Sequence, residues 1–298
     1  MNLQMLNRTT TPFKPNASVA ALPALPFGVL EIAGPDAVAF AQAQFTNDAA
    51  ALADGHWQWS GWLTPKGRVI ALFALLKLDP ERVWLLLPDA PAATLATRLA
   101  RYVFRSKLRL DVRDGLRILA DIDGAVLPAP PSPAAILRIA GMTVLDLSDA
   151  HAPRRLALVE DAAADAGGAA PIAAQWRRSD LAAGLPRLVG DQVEAWTPQM
   201  LGLDSLRAYS LKKGCYPGQE IVSRTHYLGQ AKRGPVLLSG GGFADGDAVR
   251  MGDRDVGIVV AAADDLALAV IALEHRTAAL SCNGSPCTVQ PFREGLAR

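Results

Sequence analysis

From Val69 to Leu78 ten consecutive residues carry a single polar side chain, Lys77. An apolar run of this length without alternation fits a strand buried on both faces. Asp79-Pro80-Glu81-Arg82 supplies a turn and Val83 to Leu87 a second apolar strand, so the segment predicts a hairpin of buried strands. Such a hairpin needs cover from other elements. The chain can supply it: 298 residues, half of them apolar, suffice for two or three small domains with real cores.

The flanking sequence predicts that cover. Gly28 to Ala33 reads as a strand, and Gly34-Pro35-Asp36 starts a helix with Val38, Ala41 and Phe45 on one face. Asp89 is placed to cap a helix whose Leu95, Leu99, Tyr102 and Val103 face inward. Leu108, Leu110 and Val112 alternate with charges as a half-exposed strand. Further strands are expected over 117–122, 136–147 (with a turn at Ala140-Gly141) and 155–159, then a helix over 160–166. After residue 230 short apolar runs alternate with glycine turns, the pattern of a small β-barrel.

Thirty basic against 29 acidic residues leave a net charge of +1, too little for a global basic field, so direct nucleic-acid binding is not expected. No run is long enough to span a bilayer, and the polar start, Met1 to Ser18, has no secretory apolar region. Three cysteines, Cys215, Cys282 and Cys287, form no disulfide framework and point to a reducing cytoplasm. The Cys282–Cys287 spacing is off the usual metal pairs, so no metal site is expected and both cysteines are placed in a barrel-edge loop. Trp57, Trp59 and Trp62 read as core and domain packing, with the first two on one face.

Leu211 to Arg224 carries the most chemistry. Gly214 and Gly218 free the backbone on either side of Cys215, Pro217 stiffens the loop, and a helix follows from about Gln219 to Leu228. Lys212 and Lys213, with the helix N-terminus, would favour a thiolate. Taken by residue type alone, Cys215 reads as a buried small hydrophobe.

Lys213-Gly214-Cys215-Tyr216-Pro217-Gly218-Gln219-Glu220 fits, without a gap, the Lys-Gly-Cys-Tyr-any-Gly-Gln-Glu signature of the YgfZ-type folate-binding proteins, a branch of the glycine-cleavage T-protein superfamily. Phe45-Thr-Asn-Asp48, Trp62 to Arg68, Ala183 to Pro186, Thr197-Pro-Gln199 and Val256 to Val259 resemble the family's other segments, so the resemblance covers the chain from about residue 20. It implies an α+β fold: a ring of two intertwined α+β portions over 20–229, closed by a β-barrel over 230–298; the residues before it, 1–19, read as a mobile arm. It implies tetrahydrofolate or a related reduced folate as cofactor. The function implied is auxiliary: iron–sulfur cluster assembly or repair, supporting tRNA modification indirectly, with cluster proteins as partners and Cys215 as the functional thiol.

The resemblance assigns Phe27 and Trp176 to folate, and Gln199 and Glu220 are candidate pterin acceptors by motif position; the adjacent Arg177 and Arg178 suit a clamp for the carboxylate tail. Glu220 reads equally as a helix cap. Two departures stand out. T-proteins carry an aspartate where this chain has Ala71, so an aminomethyltransferase is the lesser reading, beside a binding module without chemistry. Relatives often carry a glutamate at the place of Ala182, for which Asp180 or Glu194 are candidate substitutes.

Overall fold

The apolar hairpin becomes the spine of a sheet. The computed structural model describes residues 17–160, 169–229 and 231–298. The first part contains α1 (Ala17–Ala20), β1 (Ala24–Leu25), β2 (Gly28–Ala33), α2 (Ala37–Gln44), β3 (His56–Leu63), β4 (Val69–Asp79), β5 (Arg82–Leu87), α3 (Ala92–Ala100) and β6 (Arg109–Val112). An antiparallel sheet forms in the order β3-β4-β5-β2-β6. Successive residues of β4 feed two cores, which is why the strand is apolar throughout. Leu72, Ala74 and Leu76 enter a central cluster, while Phe73 and Leu75 enter an outer one beneath α2 and α3.

A second sheet, β1-β7-β10-β9-β8, adds β7 (Leu116–Asp121), β8 (Leu137–Ile139), β9 (Met142–Asp146) and β10 (Arg155–Glu160). The chain begins this sheet with β1, leaves to build the first sheet, and returns with β7. The two α+β portions are therefore intertwined. After α4 (Ala169–Ala182) a largely irregular stretch leads to α5 (Gln219–Tyr227). A closed barrel follows in the order β11-β14-β13-β12-β15-β16. Its strands are β11 (Arg233–Ser239), β12 (Ala248–Met251), β13 (Arg254–Ala263), β14 (Leu266–Ala272), β15 (Leu280–Cys282) and β16 (Ser285–Gln290). One central core joins the three parts: Trp59 from the first sheet, Leu158 from the second, Trp176 from α4, Val222 from α5 and Leu268 from the barrel.

Several details differ from the sequence reading. The helix expected over 160–166 lies outside the described residues beyond Glu160, which ends β10. Of the arm over 1–19, residues 1–16 also lie outside them, and Val19 is buried against Leu119 and Val144. The inward face of α2 is Ala37, Phe40 and Ala41, with Val38 only partly covered. Asp89 does not cap α3, whose N-cap is Pro91. It accepts instead from the Arg187 guanidinium at 2.8 Å and the Leu188 amide at 3.0 Å. Tyr102 lies past the end of α3 and is half exposed. Cys282 and Cys287 stand on paired strands rather than in a loop, Cys282 with its side chain in the barrel core. The barrel strands end at Gln290, and residues 291–298 run back towards the central core. No helix among the described residues is long and apolar enough to cross a membrane.

Candidate functional site

Three segments far apart in sequence meet around Cys215. Thr46 hydroxyl donates to the Ala208 carbonyl at 2.7 Å, and Asn47 Nδ2 to the carbonyls of Trp59 and Arg207 at 2.9 and 2.7 Å. Lys213 reaches into the same place: its Nζ donates to the Phe45 and Asn47 carbonyls at 2.5 and 2.9 Å. The turn at Thr64–Arg68 forms the third side. Gly218 has φ +79°, and a Cβ there would sit 2.6 Å from the Thr64 carbonyl oxygen and 2.8 Å from the Gly67 Cα. Only glycine brings these two backbones so close. Gly67, at φ +69°, is pressed in turn against Ile221 of α5. Gly214 differs: a Cβ there would meet open space and its φ is not positive, so no steric need fixes it as glycine.

The loop thus anchored exposes Cys215 four residues before α5. Tyr216 turns inward, under the Lys213 ammonium at 5.1 Å from its ring. Gln219 supports the turn, its amide donating to the Tyr216 carbonyl at 3.1 Å and its side chain to the Lys213 carbonyl at 3.3 Å. Glu220 is exposed on the first turn of α5, where a negative charge suits the helix dipole; the N-cap is Gly218. Gln199 ties the preceding stretch to α5 by donating to the Val222 carbonyl at 2.8 Å. Among the buried atoms that find no hydrogen-bond partner among the described residues, Gln199 Oε1 and Tyr216 Oη belong to this part of the chain.

Burial pulls the Lys213 ammonium down to about 8, with Asp48 opposing the shift. The unfolded value is about 10.4, so between pH 8 and 10 the unfolded chain binds more protons and stability rises with pH. Above pH 10 the sign reverses. Burial pushes Tyr216 upward and Tyr209 up to about 12, so the folded chain keeps protons that the unfolded chain loses. Urea unfolding at pH 7.5, 9 and 10 will show the rise in the wild type and its loss in Lys213→Met. An identical profile in the variant would remove Lys213 as its source.

The aromatic residues assigned to folate lie deeper. Trp176 is 1% exposed, with the Arg154 guanidinium 4.9 Å from its ring centre, and Arg187 stands 5.2 Å over Phe27. Asp180 joins the two arginines, accepting from Arg154 Nη1 at 2.5 Å and Arg187 Nη1 at 3.1 Å. Asp89 closes the row on Arg187. Arg177 binds Asp245 through both carboxylate oxygens at 2.8 and 3.0 Å and the Ala262 carbonyl at 2.8 Å, docking α4 on the barrel. Asp180 is thus engaged by its own ion pairs, as is Glu194 by Arg98 at 2.7 Å.

Trp57 and Trp59 pack edge to face in the central core, 5.2 Å apart, and Trp62 faces the outer core. Ala71 also faces the outer core. Leu72 is the neighbour on β4 that reaches the central one, and it too is apolar. No group of three or more His, Cys, Asp or Glu side chains suited to a metal ion occurs among the described residues. Sequence reasoning missed the buried Arg154–Asp180–Arg187–Asp89 row. Its one trace was Asp180 and Asp89, each read for another purpose.

Residues 232–293 match the model of the CAF17 C-terminal beta-barrel domain. A protein of Klebsiella pneumoniae named tRNA-modifying protein YgfZ is 29% identical over 281 residues, with 85% of each chain covered. Its namesake in Edwardsiella ictaluri is 29% identical over 227 residues, covering 71% of this chain and 68% of its own. This chain is similar to these YgfZ proteins over most of its length. The fold of this chain is also similar to that of the glycine cleavage system aminomethyltransferase T from Bartonella henselae. That structure superposes with a TM-score of 0.67 at 16% identity, covering 89% of this chain and 83% of its own. A likeness at this identity establishes the shared architecture.

Proposed function

We propose that this chain binds tetrahydrofolate or a related reduced folate and serves iron–sulfur cluster assembly or repair, with Cys215 as its working thiol. The observation that carries the reading is the pair of unpartnered buried atoms, Tyr216 Oη in the loop that exposes Cys215 and Gln199 Oε1 in the stretch tied to the helix after it. Leaving such atoms unpaired costs on the order of 1–3 kcal/mol each. A pterin carries ring N–H groups for the amide oxygen and acceptors for the hydroxyl.

The hydrogen-bonding half of a pterin site therefore fits these residues. The stacking half fits less well, because Trp176 and Phe27 each carry a guanidinium on a face and Arg177 holds the barrel. A reduced folate, when bound, supplies a carrier for one-carbon units and a source of reducing electrons. What this chain adds is the orientation of the ring by Gln199 and Tyr216, and a thiol open to a partner. An aminomethyltransferase is disfavoured because neither Ala71 nor Leu72 of β4 can take a proton.

The relatives' name supports a link to tRNA modification, which in this reading runs through cluster-containing enzymes in the cytoplasm, without direct contact to nucleic acid. Calorimetric titration with tetrahydrofolate tests the folate part. Wild type binds, and Gln199→Leu weakens binding about tenfold or more. No heat of binding from the wild type removes the folate reading. In a strain lacking its own YgfZ, activity of cluster enzymes should return with wild type and stay low with Cys215→Ser. Full rescue by the serine variant makes the sulfur dispensable.

A further inference from the structure

The segment after the barrel is absent from the contacts described so far around Cys215. It runs back to the central core and is held there by hydrogen bonds to three separate parts of the chain and by an Arg293–Asp149 ion pair at 3.6 Å. Arg293 amide donates to the Ala182 carbonyl at the end of α4 at 2.7 Å, Ala150 amide to the Glu294 carbonyl at 2.7 Å, and Trp59 Nε1 to the Leu296 carbonyl at 2.8 Å. Leu296 is 2% exposed. The Arg298 guanidinium lies 5.4 Å over the Trp57 ring and donates to the carbonyls of Asp146 and Ser148 at 3.0 and 3.1 Å. The segment also lines a cavity of about 420 Å³ with Ala183 and Leu206.

Its grip is internally opposed. Arg298 is bound to backbone carbonyls and its Nε is buried without a partner among the described residues; burial disfavours its charge, Asp146 opposes that effect, and the like-charged Arg154 adds to it. Gly295 needs φ +99°, where a Cβ would lie 3.0 Å from the Ala150 nitrogen. What the segment covers is a distinct chemical surface, one indole face (Trp57) and one indole N–H (Trp59), and within electrostatic reach of Arg298 lies a buried guanidinium, Arg154, whose Nη2 has no partner among the described residues. Those groups suit a planar heteroaromatic ring bearing an acceptor and a carboxylate.

We propose that residues 292–298 form a displaceable strap over part of the ligand site, and that a folate-class ligand binds by exchanging with it. The exchange rests on the folate reading above; the detachment of the strap does not. Apparent affinity then falls by the fraction of molecules whose strap is released, so loosening the strap strengthens binding.

Hydrogen exchange on the ligand-free full chain tests detachment. The amides of Arg293 and Ala150 should exchange at least about a hundredfold faster than that of Leu158 in β10. Equal rates mean that the segment opens only with the whole fold, and overturn the proposal. Leu296→Ala and Gly295→Ala, two independent ways of loosening the strap, should each tighten tetrahydrofolate binding about tenfold. Binding by wild type with no gain in either folded variant overturns the exchange alone. No binding by any form overturns the folate reading and the exchange with it, while the hydrogen-exchange rates still decide whether the strap detaches.

Discussion

Asp180→Asn should cost about 3–5 kcal/mol of folding stability, the largest single loss expected in this chain. Asp180 is 1% exposed and receives both Arg154, itself 1% exposed, and Arg187. Burial works against the charge on Arg187, and Asp180 with Asp89 outweighs it, holding the guanidinium above its ordinary value. An amide of the same shape keeps one acceptor and turns an NH2 group towards the other arginine. Two buried cations would then share no full counter-charge on that side, beneath the rings of Trp176 and Phe27. Urea unfolding followed by tryptophan fluorescence measures the loss. Asp265→Asn serves as the control, since its pair with Arg178 is exposed and worth within about 1 kcal/mol. Equal, small effects from both variants would mean that the buried row contributes no more than a surface pair.

Thiol labelling should separate the three cysteines by orders of magnitude. Cys215 is exposed on its loop, whereas Cys282 sits in the barrel core. Burial, with Asp247 beside it, pushes the Cys282 thiol up to about 11, and burial raises Cys287 as well. Thiolate is the reactive form, so both barrel thiols are short of it at neutral pH. With iodoacetamide at pH 7.5, one thiol per chain should react at least about a hundredfold faster than the others. That phase should vanish in Cys215→Ser. Its persistence would assign the reactive sulfur to the barrel and detach the signature motif from any thiol chemistry.

The fold was legible where one local rule decided the outcome. The nearly unbroken apolar run at Val69–Leu78 read as a buried strand, and the short apolar runs between glycine turns after residue 230 read as strands of a small barrel, as the structure has them. Gly218 was legible too, because a left-handed residue before a helix calls for glycine. Less was legible where side chains answer to distant partners. Lys213 was read as a cation beside Cys215, yet its ammonium is drawn inward by the carbonyls of Phe45 and Asn47, more than 160 residues away in sequence. Arg177, adjacent to Trp176, was read as a ligand clamp; the helix turns it onto Asp245 of the barrel instead. Asp89 was read as a local cap and binds Arg187 across the domain. Such pairings depend on how sheets and helices pack, and spacing along the chain carries no trace of them. The return of residues 291–298 to the central core was hidden for the same reason, since Phe292 to Arg298 has neither strand nor helix periodicity.

In the proposed function one sulfur and one folate share a site. The rate of Cys215 alkylation, measured with and without saturating tetrahydrofolate, tests this directly. Bound folate should change that rate at least about fivefold, because Tyr216 and Gln199 would be reordered beside the sulfur, and leave the Cys287 rate unchanged. A Cys215 rate indifferent to saturating, calorimetrically verified folate would contradict the shared site.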